Sequence, residues 1–599
     1  MCGIAGFQVA DNATICPETL DRLQSSLLHR GPDAQSHLVI NSTGLIATRL
    51  AIVDLVHGDQ PLISEKGVVL VANGEIYNAP ELRNAIPDYP FRTGSDCEPI
   101  LPLYESYGLD FIDHLRGMFA IAIFDQGTGQ LILSRDQFGI KPLYFVEGPD
   151  FFAFASELSS LLNAGFAKRE IDDIARAELF QVKYVCGTKT IISQIHRVEP
   201  GETIVVEGGK ICRRRSGKNW PPFVDKNTSK PDRSFGWRSP PALLKKFQDV
   251  IFDSVAVHLR AEVPWRLYYS GGIDSTILML AAREVAAAPP QVMTIGYEGK
   301  NEGEESWNAL RLARGANVSC QRIEMTSEDF WTLAPRIAAA VDDPMADAAV
   351  LPLYILGRET SRQGAKVAVC GEGGDELFGG YSRYRRATLP AFLRRRRGRR
   401  GVFSGITVPA ESFAGWHGTL DALEAEQENL WSSRLQVLLA IDTLEWLPNY
   451  MLIKLDRALM ANGVEGRTPF LDREVIKFAR EVPDRLKASP RRGKYLLRDW
   501  LAGAYPQSQP YARKRGFSVP VAKWMHERRD ELGTLVSAQP GIAQIMDGAA
   551  VRQVFDRCLA DDQPAWSLLF YALWHSRHIL QLNCEDNIAA VLTDAARAN

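Results

Sequence analysis

Cys2 follows the initiator methionine. Once Met1 is removed, the thiol shares its residue with a free α-amine. That amine has a pKa of about 7.7–8.0, so nucleophile and local base sit on one residue. Gly3 and Gly6 would let substrate and backbone approach closely. Three nearby clusters add polar groups at short spacing. His29-Arg30-Gly31-Pro32-Asp33 reads as a polar turn, and Arg49 places a guanidinium at a strand edge, suited to bidentate capture of a carboxylate. Asn73-Gly74-Glu75 offers an amide donor, a glycine N–H and a carboxylate after a strand. Asn73 and Gly74 fit an oxyanion hole, and Glu75 with Asp96 could hold an ammonium. Together they would hold an amino acid with its side chain at the thiol, although each cluster alone also fits a surface turn.

A second chemistry lies farther along. Ser270-Gly271-Gly272-Ile273-Asp274-Ser275 stands between an apolar strand and a helix, where glycine N–H groups and the helix N-terminus can face an anion. No Gly-Lys-Ser/Thr follows, so it is not a Walker A loop. Asp274 beside a phosphate makes sense only with a bridging Mg²⁺. The alternative is a tight strand-to-helix turn. Between Cys370 and Tyr381, five glycines stand among twelve residues with the carboxylates Glu372, Asp375 and Glu376, which suit a metal and a base. Three further polar runs follow: Lys454-Leu455-Asp456-Arg457, Gly493-Lys494 and Arg513-Lys514-Arg515-Gly516-Phe517.

The elements that must position these groups divide the 599 residues into two lobes. Residues 1–205 read as short apolar strands bounded by Gly, Asn and Asp, such as 68–72 and 118–124, with a helix over 17–28. Many strands with few helices predict stacked antiparallel sheets flanked by helices, an α+β lobe. Residues 208–240 are polar and proline-bearing and read as a linker. From Pro241 the period becomes 3.6. A strand at 267–269, a helix near 275–286 and a strand at 291–297 form a βαβ unit of a parallel sheet, which makes the second lobe α/β. Residues up to 580 read as mainly helical, and 581–599 as a tail.

Composition narrows the classes. Lys+Arg is 69 against 72 Asp+Glu, a net charge of −3, too balanced for a nucleic-acid coat. No run reaches the ~18 apolar residues of a membrane span, and the N-terminus does not resemble a signal peptide. Nine cysteines without a CxxC pair exclude a zinc ribbon and point to a reducing, cytoplasmic setting.

Cys-Gly-Ile at 2–4, Arg-Gly-Pro-Asp at 30–33, Asn-Gly-Glu at 73–75 and Ser-Asp at 95–96 resemble the class II, N-terminal-nucleophile glutamine amidotransferases. Residues 241–580 resemble the synthetase domain of the ATP-pyrophosphatase type. The order of the two lobes is that of the glutamine-hydrolysing asparagine synthetase family. The resemblance implies an Ntn-hydrolase-type lobe at 2–207 and an ATP-pyrophosphatase-type lobe at 241–580. It implies glutamine hydrolysis through a γ-glutamyl thioester, with Cys2 as nucleophile. Arg49 with the Ile52 and Val53 backbone would bind the α-carboxylate of glutamine, Glu75 and Asp96 its α-amine, and Asn73 and Gly74 the oxyanion. It implies that ammonia crosses to a carboxylate activated by ATP as an acyl-adenylate.

Ser270, Gly271, Gly272 and Ser275 would cradle pyrophosphate, and Asp274 and Asp375 would hold Mg²⁺. Tyr269, Ile295, Cys370 and Gly371 fall at adenosine, Glu372 at the adenylate-forming glutamate, and Lys494 where charge develops. Tyr269 and Cys370 depart from the usual aliphatic residue and serine. The expected acceptor is aspartate, activated as β-aspartyl-AMP, with Glu372, Asp347 and either Arg467 or Lys494 lining its pocket. The alternative is another carboxylate, a sugar uronic acid or a natural-product intermediate. Nine arginines between Arg383 and Arg400 form a solvated face or a docking patch. A homodimer stays open as the assembly.

Overall fold

The computed structural model describes residues 2–10, 16–217, 238–299, 305–393, 399–406, 409–512 and 518–598. Met1, the run 513–517, residues 394–398 of the arginine-rich stretch and residues 218–237 of the expected linker lie outside them.

Alternation builds the first lobe. In strand Cys2–Val9, Ile4 faces one way, toward Leu45, Val69, Val71 and Phe124. Ala5, Phe7 and Val9 face the other, toward Leu23 of helix Pro17–Ser25, Leu27 just past its end, and Leu158 and Leu161 of helix Leu158–Asn163. In strand Val68–Ile76, Val69 and Val71 join the first cluster, while Leu70, Ala72 and Ile76 meet helix residues Leu82, Ile100 and Leu103. Period-two burial on both faces therefore stacks two sheets between outer helices. Each sheet has six strands, every recorded pair antiparallel. The first runs 196–197, 144–147, 151–155, 2–9, 43–49, 34–40, and the second runs 210–215, 203–207, 130–135, 117–125, 68–76, 62–63.

Two sequence expectations need correction. The expected linker does not begin at 208: Lys210–Arg215 is an edge strand of the second sheet, paired with Thr203–Glu207. Gly208 and Gly209 turn the hairpin at φ +57° and +75°, where glycine is favoured. The charged side chains that suggested a linker instead guard a sheet edge. Nor is 581–599 a bare tail. Ile588–Arg597 is a helix capped by Asn587, and Ile588, Val591, Leu592 and Ala595 bury one stripe of it.

The second lobe holds a five-stranded parallel sheet in the order 319–325, 291–297, 265–268, 367–369, 465–467. From the central strand the chain first moves outward on one side, then returns to build the other. The order thus reverses between strands 265–268 and 367–369, and the loops leaving their C-terminal ends open a crevice there. Those loops carry Ser270–Ser275 and Cys370–Glu376.

Candidate active sites

At the crevice, strand Trp265–Tyr268 runs through Tyr269 and Ser270 into helix Ile273–Val285. Ser270 Oγ and Ser275 Oγ lie 3.1 Å apart across the turn. Gly271 has φ +71°, and a Cβ there would lie 3.2 Å from Ala309 Cα. This lets helix Glu305–Gly315 press on the loop. A cavity of about 700 Å³ opens here. Tyr269, Ser270, Gly271, Gly272, Asp274, Ser275, Ile295, Cys370 and Gly371 all line it, together with Glu372, Asp375 and Lys494. Tyr269 is buried, its hydroxyl 3.3 Å from Thr276 Oγ1. Burial pushes the Cys370 thiol well up, so it packs as a small apolar group.

Lys494 Nζ stands 2.5 Å from Asp274 Oδ2 and 2.5 Å from Asp375 Oδ1. Burial works against its charge, but the two carboxylates prevail and raise its pKa. They converge on one point from the first turns of two helices. Among the described residues no group of three or more His, Cys, Asp or Glu could hold a metal. Two convergent carboxylates fit Mg²⁺ nonetheless, since that ion completes its shell with water and substrate phosphates.

Glu372 also faces the cavity, its pKa raised by burial against the pull of Lys454, and its Oε2 has no hydrogen-bond partner among the described residues. Lys454 lines the same cavity and donates to Asp347 at 2.8 Å. The sequence singled out the run at Lys454 but gave that residue no role. Its signal was a lysine one turn past Met451, another lining residue. Arg467 is not in this cavity, a correction to its place among the acceptor candidates. It is wholly buried, bonded to Glu465 at 2.6 Å and to the carbonyls of His258 and Arg260. The arginine run is engaged with the protein itself: Arg383 bonds the buried Asp442 at 2.8 Å, and Arg399 bonds Asp421 at the surface at 2.9 Å.

The second site lies in the antiparallel lobe. Cys2 pairs in register with Arg49 and donates its backbone N–H to Asn73 Oδ1 at 3.2 Å. Burial pushes its thiol up, so deprotonation needs a nearby base. Asn73 is fully buried, and its Nδ2 has no partner among the described residues, which suits a donor awaiting an oxyanion. Asn73-Gly74-Glu75 does not follow the strand but completes it. A Cβ at Gly74 would lie 2.2 Å from Met118 O, so only glycine fits. Arg49 donates to Asp59 at 2.8 Å, to Val53 O at 3.2 Å and to Asp54 O, which holds it against the loop that carries Ile52 and Val53. Asp96 accepts from Ile76 N at 2.6 Å. Glu75 meets Arg467.

Buried ions join the lobes. Arg30 bonds Glu157 at 2.8 Å and reaches across to Asp456 at 2.8 and 3.0 Å, and Arg457 reaches back to the Tyr144 hydroxyl and the Ser156 carbonyl, each at 3.3 Å. The polar turn at 29–33 is thus partly a crosslink. No helix among the described residues is long and apolar enough to cross a membrane.

Residues 246–576 match the family model described as asparagine synthase, and residues 1–216 match a glutamine amidotransferase domain. The chain belongs to the asparagine synthase family. It is 30% identical to "Asparagine synthetase [glutamine-hydrolyzing] 1" of Bacillus subtilis, over 97% of each chain. It is 32% identical to a "Putative asparagine synthetase [glutamine-hydrolyzing]" of Mycobacterium bovis, over 96% of this chain and 97% of that one. "Amidase chyE" of Penicillium rubens is 27% identical over 88% and 89%. Membership of the asparagine synthase family makes this chain a glutamine-hydrolysing ligase that amidates a carboxylate, with ATP as the family's substrate.

Proposed function

We propose that the enzyme amidates aspartate to asparagine through β-aspartyl-AMP, releasing AMP, pyrophosphate and glutamate. The observation that carries this reading is the placing of Lys454 and Glu372 on one cavity wall, with Asp347 bonded to Lys454 behind it. An amino-acid acceptor needs a cation for its α-carboxylate and a carboxylate for its α-amine, and this wall offers both.

In the first lobe, the Cys2 thiol attacks the glutamine carboxamide and the residue's own amine takes its proton, which requires loss of Met1. Asn73 Nδ2 and the Gly74 N–H receive the oxyanion. Arg49 and the Ile52–Val53 backbone hold the α-carboxylate, and Asp96 with the remaining face of Glu75 holds the α-amine. Ammonia leaves toward the parallel sheet, and water releases glutamate. In the second lobe, Tyr269, Ile295, Cys370 and Gly371 seat adenosine, and Ser270, Gly271, Gly272 and Ser275 seat pyrophosphate. Glu372 orients the acceptor, and Lys494 faces the charge developing on phosphate. Asp274 and Asp375 would hold Mg²⁺, which supplies charge neutralisation to the phosphates.

The likeness to "Amidase chyE" favours one second reading, the same chemistry on a different carboxylate. ATP–pyrophosphate exchange decides between them. Exchange driven by aspartate, with rescue of an asparagine-requiring strain, is the expected result. Exchange driven only by a uronic acid or another carboxylate would establish the second reading.

A further inference from the structure

We propose that Arg498 and Arg311 seat the two outer phosphoryl groups of ATP and thereby the departing pyrophosphate. The inference rests on the ATP reading above and extends it to residues outside the glycine loop.

Arg498 stands four residues after Lys494, at the start of helix Tyr495–Ala504. Lys494 itself stands just before that helix at φ +56° and meets Asp274 and Asp375 at the same cavity. Arg498 lines the cavity. Its Nε donates to Gly493 O at 2.8 Å and its Nη1 to Pro510 O, both neutral carbonyls. No carboxylate pairs with it among the described residues, and its burial disfavours the charge. A half-buried guanidinium bonded only to neutral carbonyls, with Asp274 acting on its charge from a distance, gains from an arriving anion.

Arg311 approaches from the other side. Its helix packs on Gly271 through Ala309, so its exposed face flanks the loop. Arg311 lines the cavity with Asn308, to whose Oδ1 it donates at 2.7 Å, and it too has no carboxylate partner among the described residues. The cavity that the glycine loop lines thus carries two guanidinium groups without a carboxylate hydrogen-bond partner among the described residues, one half-buried and one exposed. A single phosphoryl group does not need both, whereas a diphosphate spans them and matches their forked donors. In the reaction the acceptor's carboxylate oxygen attacks the α-phosphorus and the bond from that phosphorus to the bridging oxygen breaks. The electron pair leaves on pyrophosphate, whose new charge falls to these arginines.

The test measures equilibrium binding of inorganic pyrophosphate, ATP and AMP, each with Mg²⁺, to the full chain and to Arg498→Ala, Arg498→Lys and Arg311→Gln. Glutamine hydrolysis in the other lobe serves as the folding control. Losing a charge-assisted contact should weaken pyrophosphate and ATP binding about 10- to 100-fold in Arg498→Ala. Arg311→Gln should weaken both about 3- to 10-fold, as expected at a more exposed rim. AMP binding should change less than about twofold, because AMP lacks the outer groups. Arg498→Lys should recover part of the loss. Unchanged pyrophosphate binding, or an equal loss for AMP, would overturn the proposal. If Arg498→Ala fails to fold, Arg311→Gln decides by the same criteria. An unaltered chain that binds neither ATP nor AMP would instead sink the ATP reading itself.

Discussion

Arg467, on the outermost strand of the parallel sheet, lies 3.0 Å from the Glu75 carboxylate of the antiparallel lobe. Neither side chain reaches solvent appreciably. Arg467 also bonds Glu465, whose carboxyl it draws down against the cost of burial. Glu465 in turn lies 3.9 Å from Lys141 of the first lobe. A residue expected to hold the α-amine of glutamine is therefore also a strut between the lobes.

Removing Arg467 should be costly. Arg467→Met leaves Glu75 and Glu465 buried near each other without that cation, and breaking a buried pair from one side costs about 3–5 kcal/mol. Glu75→Gln should cost less, because it keeps an acceptor for the guanidinium. Calorimetric unfolding of both variants checks the order. Equal melting temperatures for Arg467→Met and the unaltered protein would contradict the account.

Sites built from neighbouring residues were legible in the sequence, and sites built across the chain were not. Ser270–Ser275 and Asn73–Glu75 declare their chemistry locally, because a glycine turn or an amide beside a glycine does its work within a few residues. The pairing of Arg467 with Glu75, or of Arg30 with Asp456, depends on how two sheets meet, and no period or spacing encodes that. Of the two cations that the sequence offers for the acceptor pocket, Lys494 lines the cavity and Arg467 accordingly does not. The charges of Lys210–Arg215 mimic a linker and mask the Gly208-Gly209 turn signal. The helix at 588–597 carries the expected apolar spacing but lay beyond the resemblance. The parallel sheet was legible from its first βαβ unit. The strand at 319–325 was not, since it alternates between polar and partly buried residues.

Cys2→Ala should abolish glutamine-dependent synthesis and spare synthesis from added ammonium. Cys2 heads a strand of the antiparallel lobe, whereas the nucleotide cavity is lined by the parallel sheet. Side-by-side assays with each nitrogen source check this. Loss of both activities in a variant of unchanged melting temperature would contradict two separable sites.

Glu178 should make stability fall as pH rises. It is buried where the first lobe meets helix Gly418–Leu430, accepting from Cys186 N and from Thr419 Oγ1, each at 2.9 Å. Burial nonetheless lifts its carboxyl from 4.5 to about 7. A carboxyl with a raised folded pKa binds its proton more tightly folded than unfolded. Its stabilising contribution is therefore full below pH 4.5 and is lost as pH climbs through about 7. The loss is on the order of 3 kcal/mol. Glu178→Gln should flatten the curve between those limits, as read from urea midpoints at several pH values. An unaltered slope in the variant would assign the effect elsewhere, with Glu445, also raised by burial, the next candidate.

Asp274→Asn and Asp375→Asn should each slow pyrophosphate formation sharply while leaving glutamine hydrolysis. Both carboxylates touch the Lys494 ammonium, so each change also removes half of that lysine's counter-charge. Two effects then need separating, lost metal affinity and a displaced lysine. Magnesium titration separates them. If the carboxylates hold the ion, the concentration for half-maximal pyrophosphate release should rise steeply in either variant, with a rate loss of about 10- to 100-fold for one missing contact to the metal. If they serve only to place Lys494, the magnesium requirement should stay fixed while the rate falls, and Lys494→Arg should reproduce that pattern. A fixed requirement in both aspartate variants would remove Mg²⁺ from these residues and leave them as supports for the lysine.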